Sequence, residues 1–128
     1  MVVPVSDVNR LTQHVLSAAL TLGGDVVAVS VHADHESATA FDLRWQRWHP
    51  GVRLDCVIDP GRRVIHPIVD YVRRTTGTGR LVTVLIGQVE PRHQRYQVLH
   101  NQRGILLAAQ VRAQTDAVIA FLPFRVGR

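Results

Sequence analysis

The sequence contains no lysine: all fifteen of its Lys+Arg residues are arginine. That excludes chemistry through a lysine Schiff base and any phosphate loop built on a lysine. A single cysteine, Cys56, excludes an internal disulfide and a cysteine-based metal cluster, and gives no support to secretion. Aromatic residues make up 5%, a low share for a domain that stacks nucleic-acid bases. No apolar run approaches the ~20 residues that a membrane-crossing helix needs. No basic segment followed by an apolar stretch opens the chain, so no signal peptide is read there. The hydrolase elbow G-x-S-x-G and the zinc motif H-E-x-x-H are also missing.

What is present suits one ordinary domain. The chain has 128 residues, 46% of them hydrophobic, so disorder is not expected. A domain of this size buries roughly two thirds of the surface its unfolded chain exposes. We expect it to fill residues 1–128, with only the last few residues loose. The net charge of +5 resembles that of a nucleic-acid binder, but it is modest over this length. The arginines are scattered in pairs, Arg44 and Arg47, Arg62 and Arg63, Arg73 and Arg74, Arg92 and Arg95. Such pairs read as solvated helix faces, with a short-range pull of about 8 Å toward an acidic membrane surface. Nucleic acid is therefore disfavoured as a partner.

Hydrophobic periodicity gives alternating strands and helices. Val2, Val3 and Val5 start a strand, with Pro4 tolerable near its start or edge. Ser6, Asp7 and Asn9 offer caps for a helix whose apolar set is Val8, Leu11, Val15, Ala18, Ala19 and Leu22, stopped by Gly23-Gly24. Residues 26–32 form a second, valine-rich strand suited to burial on both faces. A second helix carries Ala38, Phe41, Trp45 and Trp48 and ends at His49-Pro50-Gly51. Residues 52–58 form a third strand, and a helix from about Arg63 to Arg74 follows, with Pro67 in its first turn. Residues 81–86 form a fourth strand, a long helical segment follows Pro91, and residues 118–122 form a fifth strand. The repeated β-α order predicts a five-stranded, parallel, doubly wound α/β sheet with helices on both faces, of Rossmann-like type.

In such sheets ligands bind outside the carboxyl ends of the strands, at the switch in strand order. That rule selects Ser6, Asp7 and Asn9 after strand one, His32 and Asp34 after strand two, Asp59 after strand three, and Gly87 to His93 after strand four. The last segment is the most distinctive. Arg92, His93 and Gln102 could rim an anionic ligand beside free helix N–H groups; alternatively Arg92 is solvated, the histidines are packed, and Asn101 caps a break in the helix. The His32-Ala33-Asp34-His35 run lies at a strand corner and is a poor metal site. Cys56, inside a strand, reads as a buried inert thiol. No residue set reads as catalytic, and no metal is expected.

Four segments carry a resemblance. They are Val2 to Arg10 (VVPVSDVNR), Ala40 to His49 with its R-W-x-R-W pattern, Ile65 to Val72 (IHPIVDYV), and Glu90 to Gln102 (EPRHQRYQVLHNQ). The Val3-Pro4-Val5 start, the five β-α units and the overall length resemble the universal stress protein fold, and the four segments sharpen the likeness. They are closer to one variant of it, the C-terminal cytosolic domain of amino-acid permease-like transporters of the APC superfamily, including the potassium-importer branch. The resemblance implies a non-enzymatic cytosolic domain below the membrane helices of a parent transporter. It implies pairing with its copy in a homodimer, and a role in regulation or assembly. For the potassium-importer branch it implies a sensor of cyclic di-AMP, with ATP as the other adenine nucleotide to consider. The candidate ligand-binding set is Ser6, Asp7, Asn9, His32, Asp59, Gly87, Gln88, Arg92, His93, Asn101 and Gln102. Two departures weigh against ATP held in the stress-protein manner: Asn101 and Gln102 stand about where a later glycine would be, and Ser6 replaces the aspartate usual after strand one. A free-standing nucleotide-binding stress protein is the alternative.

Overall fold

Short β-branched runs become strands and the periodic segments between them become helices. The order is β1 (Val2–Pro4), α1 (Arg10–Leu22), β2 (Val27–His32), α2 (His35–Trp48), β3 (Arg53–Ile58), α3 (Ile65–Thr76), β4 (Thr83–Glu90), α4 (Gln94–Gln114) and β5 (Val118–Arg125). The computed structural model describes residues 1–23, 25–48, 51–61, 63–77, 79, 81–90 and 94–125; for 88–90, 94–103, 124 and 125 it describes the backbone.

All strands are parallel, in the order β3-β2-β1-β4-β5. The chain winds outward from β1 to β3, then returns to the centre and winds outward the other way through β4 and β5. The switch in strand order therefore falls between β1 and β4, which meet at Val2 and Val84. β1 is only three residues long, but Val27 N–H donates to the Met1 carbonyl and Val5 N–H to the Val29 carbonyl, extending its pairing with β2 at both ends.

Alternation along the strands splits the apolar side chains between two cores. Val2, Val29, Val84 and Ile86 pack with Ile68, Val69 and Val72 of α3 and Leu107, Ala108 and Val111 of α4. On the opposite face Val3, Ala28 and Leu85 pack with Val15, Leu16 and Ala19 of α1 and Phe41 and Trp45 of α2. Both faces of the central strands are thus covered, which is why they read as continuous apolar runs. Trp45 is buried, donates its indole N–H to the Val52 carbonyl at 2.9 Å, and meets Trp48 edge to face at 5.4 Å. α4 lies so close to β4 that a Cβ at Gly104 would sit 3.1 Å from Ile86 Cγ2.

Four expectations shift. β4 starts at Thr83 and leaves Leu81 exposed. It continues to Glu90, so Gly87 and Gln88 are strand residues and not part of a loop after it. The cause is β5, which runs to Arg125 and pairs with β4 without a break, from Gly87 opposite Leu122 to Glu90 opposite Arg125. Pro123 is tolerated there because β5 is an edge strand. α3 begins at Ile65, two residues after Arg63, whose side chain is turned back to Asp59. α4 runs unbroken from Gln94 to Gln114, so Asn101 caps no break.

Candidate functional site

The parallel sheet brings the carboxyl ends of β1, β2, β3 and β4 to one edge, and the loop from Val5 to Asn9 lies at the switch point. Most of that loop's polar groups are already engaged. Asn9 is the N-cap of α1: its backbone is extended, and its Oδ1 accepts from the Thr12 N–H at 2.9 Å. The buried Thr12 donates its hydroxyl to the Asp7 carbonyl at 2.7 Å. Asp7 Oδ1 accepts from Arg44 of α2 at 2.7 Å and from the Val8 N–H at 2.8 Å. The Arg44 hydrogen bond, aided by that N–H, holds the Asp7 carboxyl below the usual carboxylate range. Ser6 is exposed.

His32 and Asp59 mark the ends of β2 and β3, and the Asp59 N–H donates to the His32 carbonyl at 2.8 Å. The His32 Nε2 lies 2.8 Å from Ser30 Oγ, and its ring centroid is 5.2 Å from that of Phe41. Burial lowers its pKa, opposed by the nearby Asp34 carboxylate. Asp59 is 6% exposed; its carboxylate accepts from Arg63 Nε at 3.0 Å and from the Gly61 N–H at 3.1 Å. The Arg63 hydrogen bond holds its pKa below the usual value. Such a carboxylate is satisfied from inside the fold, so Asp59 acts as the anchor for Arg63.

The edge therefore brings Ser6, Asp7, Asn9, His32 and Asp59 to the carboxyl end of the sheet without joining them in a single constellation. Asp7, Asn9 and Asp59 are held by structural partners. Gly87 and Gln88 lie in β4, opposite Leu122 and Pro123. Asn101 and Gln102 lie in the continuous α4, so they form no phosphate-cradling loop. Arg92 and His93 lie outside the described residues. Among the described residues no group of three or more His, Cys, Asp or Glu side chains could hold a metal ion, and no helix is long and apolar enough to cross a membrane.

Sequence reasoning missed Ser30, which is buried in β2 between His32 and Cys56 and donates toward the Cys56 sulfur at 3.5 Å. Burial pushes the Cys56 thiol up from its ordinary value, with the Ser30 hydrogen bond opposing. Period-2 spacing of Ser30 and His32 was the available signal. It also missed Tyr71, whose hydroxyl donates to Asp55 at 2.5 Å and whose pKa burial pushes up to about 12. Arg63 was grouped with solvated arginines, and its pairing with Asp59 across the Pro60-Gly61 turn was not read.

A doubly wound, all-parallel sheet whose strand order switches between β1 and β4 defines a Rossmann-like α/β domain. The chain belongs to the KimA potassium transporter C-terminal domain family, which it matches over residues 1–124. It is similar to the potassium transporter KimA of Bacillus subtilis (strain 168), with 29% identity over 128 residues, covering 97% of this chain and 21% of that protein. The chain thus spans about a fifth of the length of the curated relative it matches. Of the transporter branches the sequence resembles, the match is to the potassium-transporter branch.

Proposed function

We propose that the chain is a non-enzymatic regulatory or assembly module of a potassium transporter, on the cytosolic side of the membrane, working as a homodimer. The observation that carries this reading is the family match over residues 1–124, joined to a sheet whose strand order switches between β1 and β4. That switch supplies the crevice in which such sheets take ligands. The ligand proposed for it is an adenine nucleotide, cyclic di-AMP first and ATP second. Arg92 and His93 would meet its phosphates, with Ser6 after β1 and Gly87 and Gln88 within β4. Binding would favour one arrangement of the paired domains and so bias the attached membrane helices, a shift of populations that requires unequal affinity for the two states. Asp7, Asn9 and Asp59 support the edge and do not contact ligand in this scheme.

Isothermal calorimetry on the 128-residue chain tests the proposal. Cyclic di-AMP is expected to give a saturable heat that Arg92→Ala weakens by at least ~10-fold, about 1.4 kcal/mol. No heat with cyclic di-AMP or ATP at high micromolar concentration overturns the nucleotide reading. The free-standing stress-protein alternative is not favoured by a match to a transporter's C-terminal domain.

A further inference from the structure

On the face of the sheet opposite α1 and α2, the helices α3 and α4 leave between them a groove of about 520 Å³. That lies within the range of about 300–1,000 Å³ typical of small-molecule sites. Among the described residues its lining includes nothing from the Ser6–Asn9 loop, from His32 or from β4. The floor is apolar, made by the buried Val69 with Ile65 and Leu106 beside it. Leu106 is 48% exposed, which leaves a large apolar side chain open to water in a concave place.

The rim is made of donors. Arg73 donates to Gln114 Oε1, and Gln114 Nε2 donates to Gln110 Oε1 at 2.7 Å. A guanidinium can only donate, so Arg73 fixes the orientation of both amides in turn. The Gln110 Nε2 is left at the end of this relay with no partner among the described residues. Arg63 commits its Nε and one terminal nitrogen to Asp59. The buried carboxylate thus sets the plane of the guanidinium, while its other N–H groups remain available. His66 has one ring N–H to donate in either neutral tautomer. Among the described residues that line the groove none is a carboxylate.

We propose that the α3–α4 groove binds a small amphiphilic oxyanion, a phosphate or a carboxylate carried on a flat apolar body. Arg63, His66 and Gln110 hold the oxyanion, and Val69, Ile65 and Leu106 receive the body. Guanidinium and amide donors match the lone pairs of an oxyanion. A cation finds no charged acceptor among the described lining residues, and a wholly apolar ligand would leave the donors unpaired. This site is separate from the switch-point crevice and does not depend on the nucleotide reading.

Nitrogen-15 NMR titration of the 128-residue chain with four probes tests it: phenyl phosphate, benzoate, inorganic phosphate and benzyl alcohol. Saturable shifts at residues 63–69 and 105–114 are expected with phenyl phosphate, benzoate or both, and the stronger of the two identifies the oxyanion. Inorganic phosphate and benzyl alcohol should bind at least ~10-fold more weakly. Gln110→Glu, at an exposed helix position, places an anion among the donors and should weaken binding at least ~10-fold. Arg63→Gln should do the same; if it unfolds the chain, Gln110→Glu alone decides. The proposal is overturned if neither aromatic anion shifts these signals up to about 10 mM. It is equally overturned if either half-probe binds as tightly as the whole, or if folded Gln110→Glu binds as wild type does.

Discussion

Replacing Asn9 by alanine separates a structural role from a ligand-binding one, because sequence position alone made Asn9 a ligand candidate. Its Oδ1 is the acceptor for the Thr12 N–H at 2.9 Å and lies 3.1 Å from the Thr12 hydroxyl. Loss of an N-cap side chain costs about 0.5–2 kcal/mol. The upper half of that range applies here, since Thr12 is 7% exposed and water has little access to the freed N–H. We therefore expect Asn9→Ala to destabilise the chain by roughly 1–2 kcal/mol. Asn9→Asp, an equally good cap facing the positive end of α1, should restore at least wild-type stability. Urea unfolding followed by the fluorescence of Trp45 and Trp48 measures this. With a slope of about 2 kcal/mol/M the alanine midpoint falls by ~0.5–1 M at unchanged slope. The nucleotide heat of the folded alanine variant should match that of wild type. An unchanged midpoint, or an aspartate variant no better than alanine, would refute the capping argument.

Three further outcomes follow from the geometry. Trp45→Phe removes the hydrogen bond to the Val52 carbonyl and part of a packed ring, and should cost about 2–3 kcal/mol in the same assay, read through Trp48. Cys56, which was expected to be buried, is half-buried, with its thiol pushed up by that partial burial; it should react with a disulfide reagent at pH 8 at least ~10-fold more slowly folded than unfolded, and equal rates would contradict this setting. Asp59 is held below its unfolded pKa of about 3.9, so its contribution is complete above that pH and is lost as pH falls through the folded value. Acid unfolding below pH ~4 should therefore be shallower for Arg63→Gln than for wild type, and parallel curves would show that the pair does not drive it.

The fold was legible because its signal is local. Valine-rich runs of β2 and β4, capped helix starts and the β-α alternation all report on neighbours within a few residues. The ends of elements were less so. Glu90 belongs to a strand because Arg125 lies opposite it, and nothing near Glu90 in sequence states that pairing. The candidate site was legible at the level of the sheet edge and not of its chemistry. Asp7 is engaged by Arg44, 37 positions away, and Arg73 by Gln114, 41 positions away. Whether a polar residue is free for a ligand depends on such distant partners. Asp59 meets a partner only four residues on, but across a turn and not along a helix face, so spacing alone did not state the pair.

The three-residue central strand also has a consequence for the order of events during synthesis. β2 follows β1 closely and can pair with it early, but the other side of β1 waits for Val84, some eighty positions later. At the usual elongation rate of 5–20 residues per second, that side stays unpaired for roughly 4–16 s. A long, flat strand left open for that time would be a template for joining nascent chains to one another. Val2–Pro4 offers few free backbone groups, and Pro4 removes one donor from the open strand. The brevity of β1 thus limits misassociation while the second half of the chain is still being made.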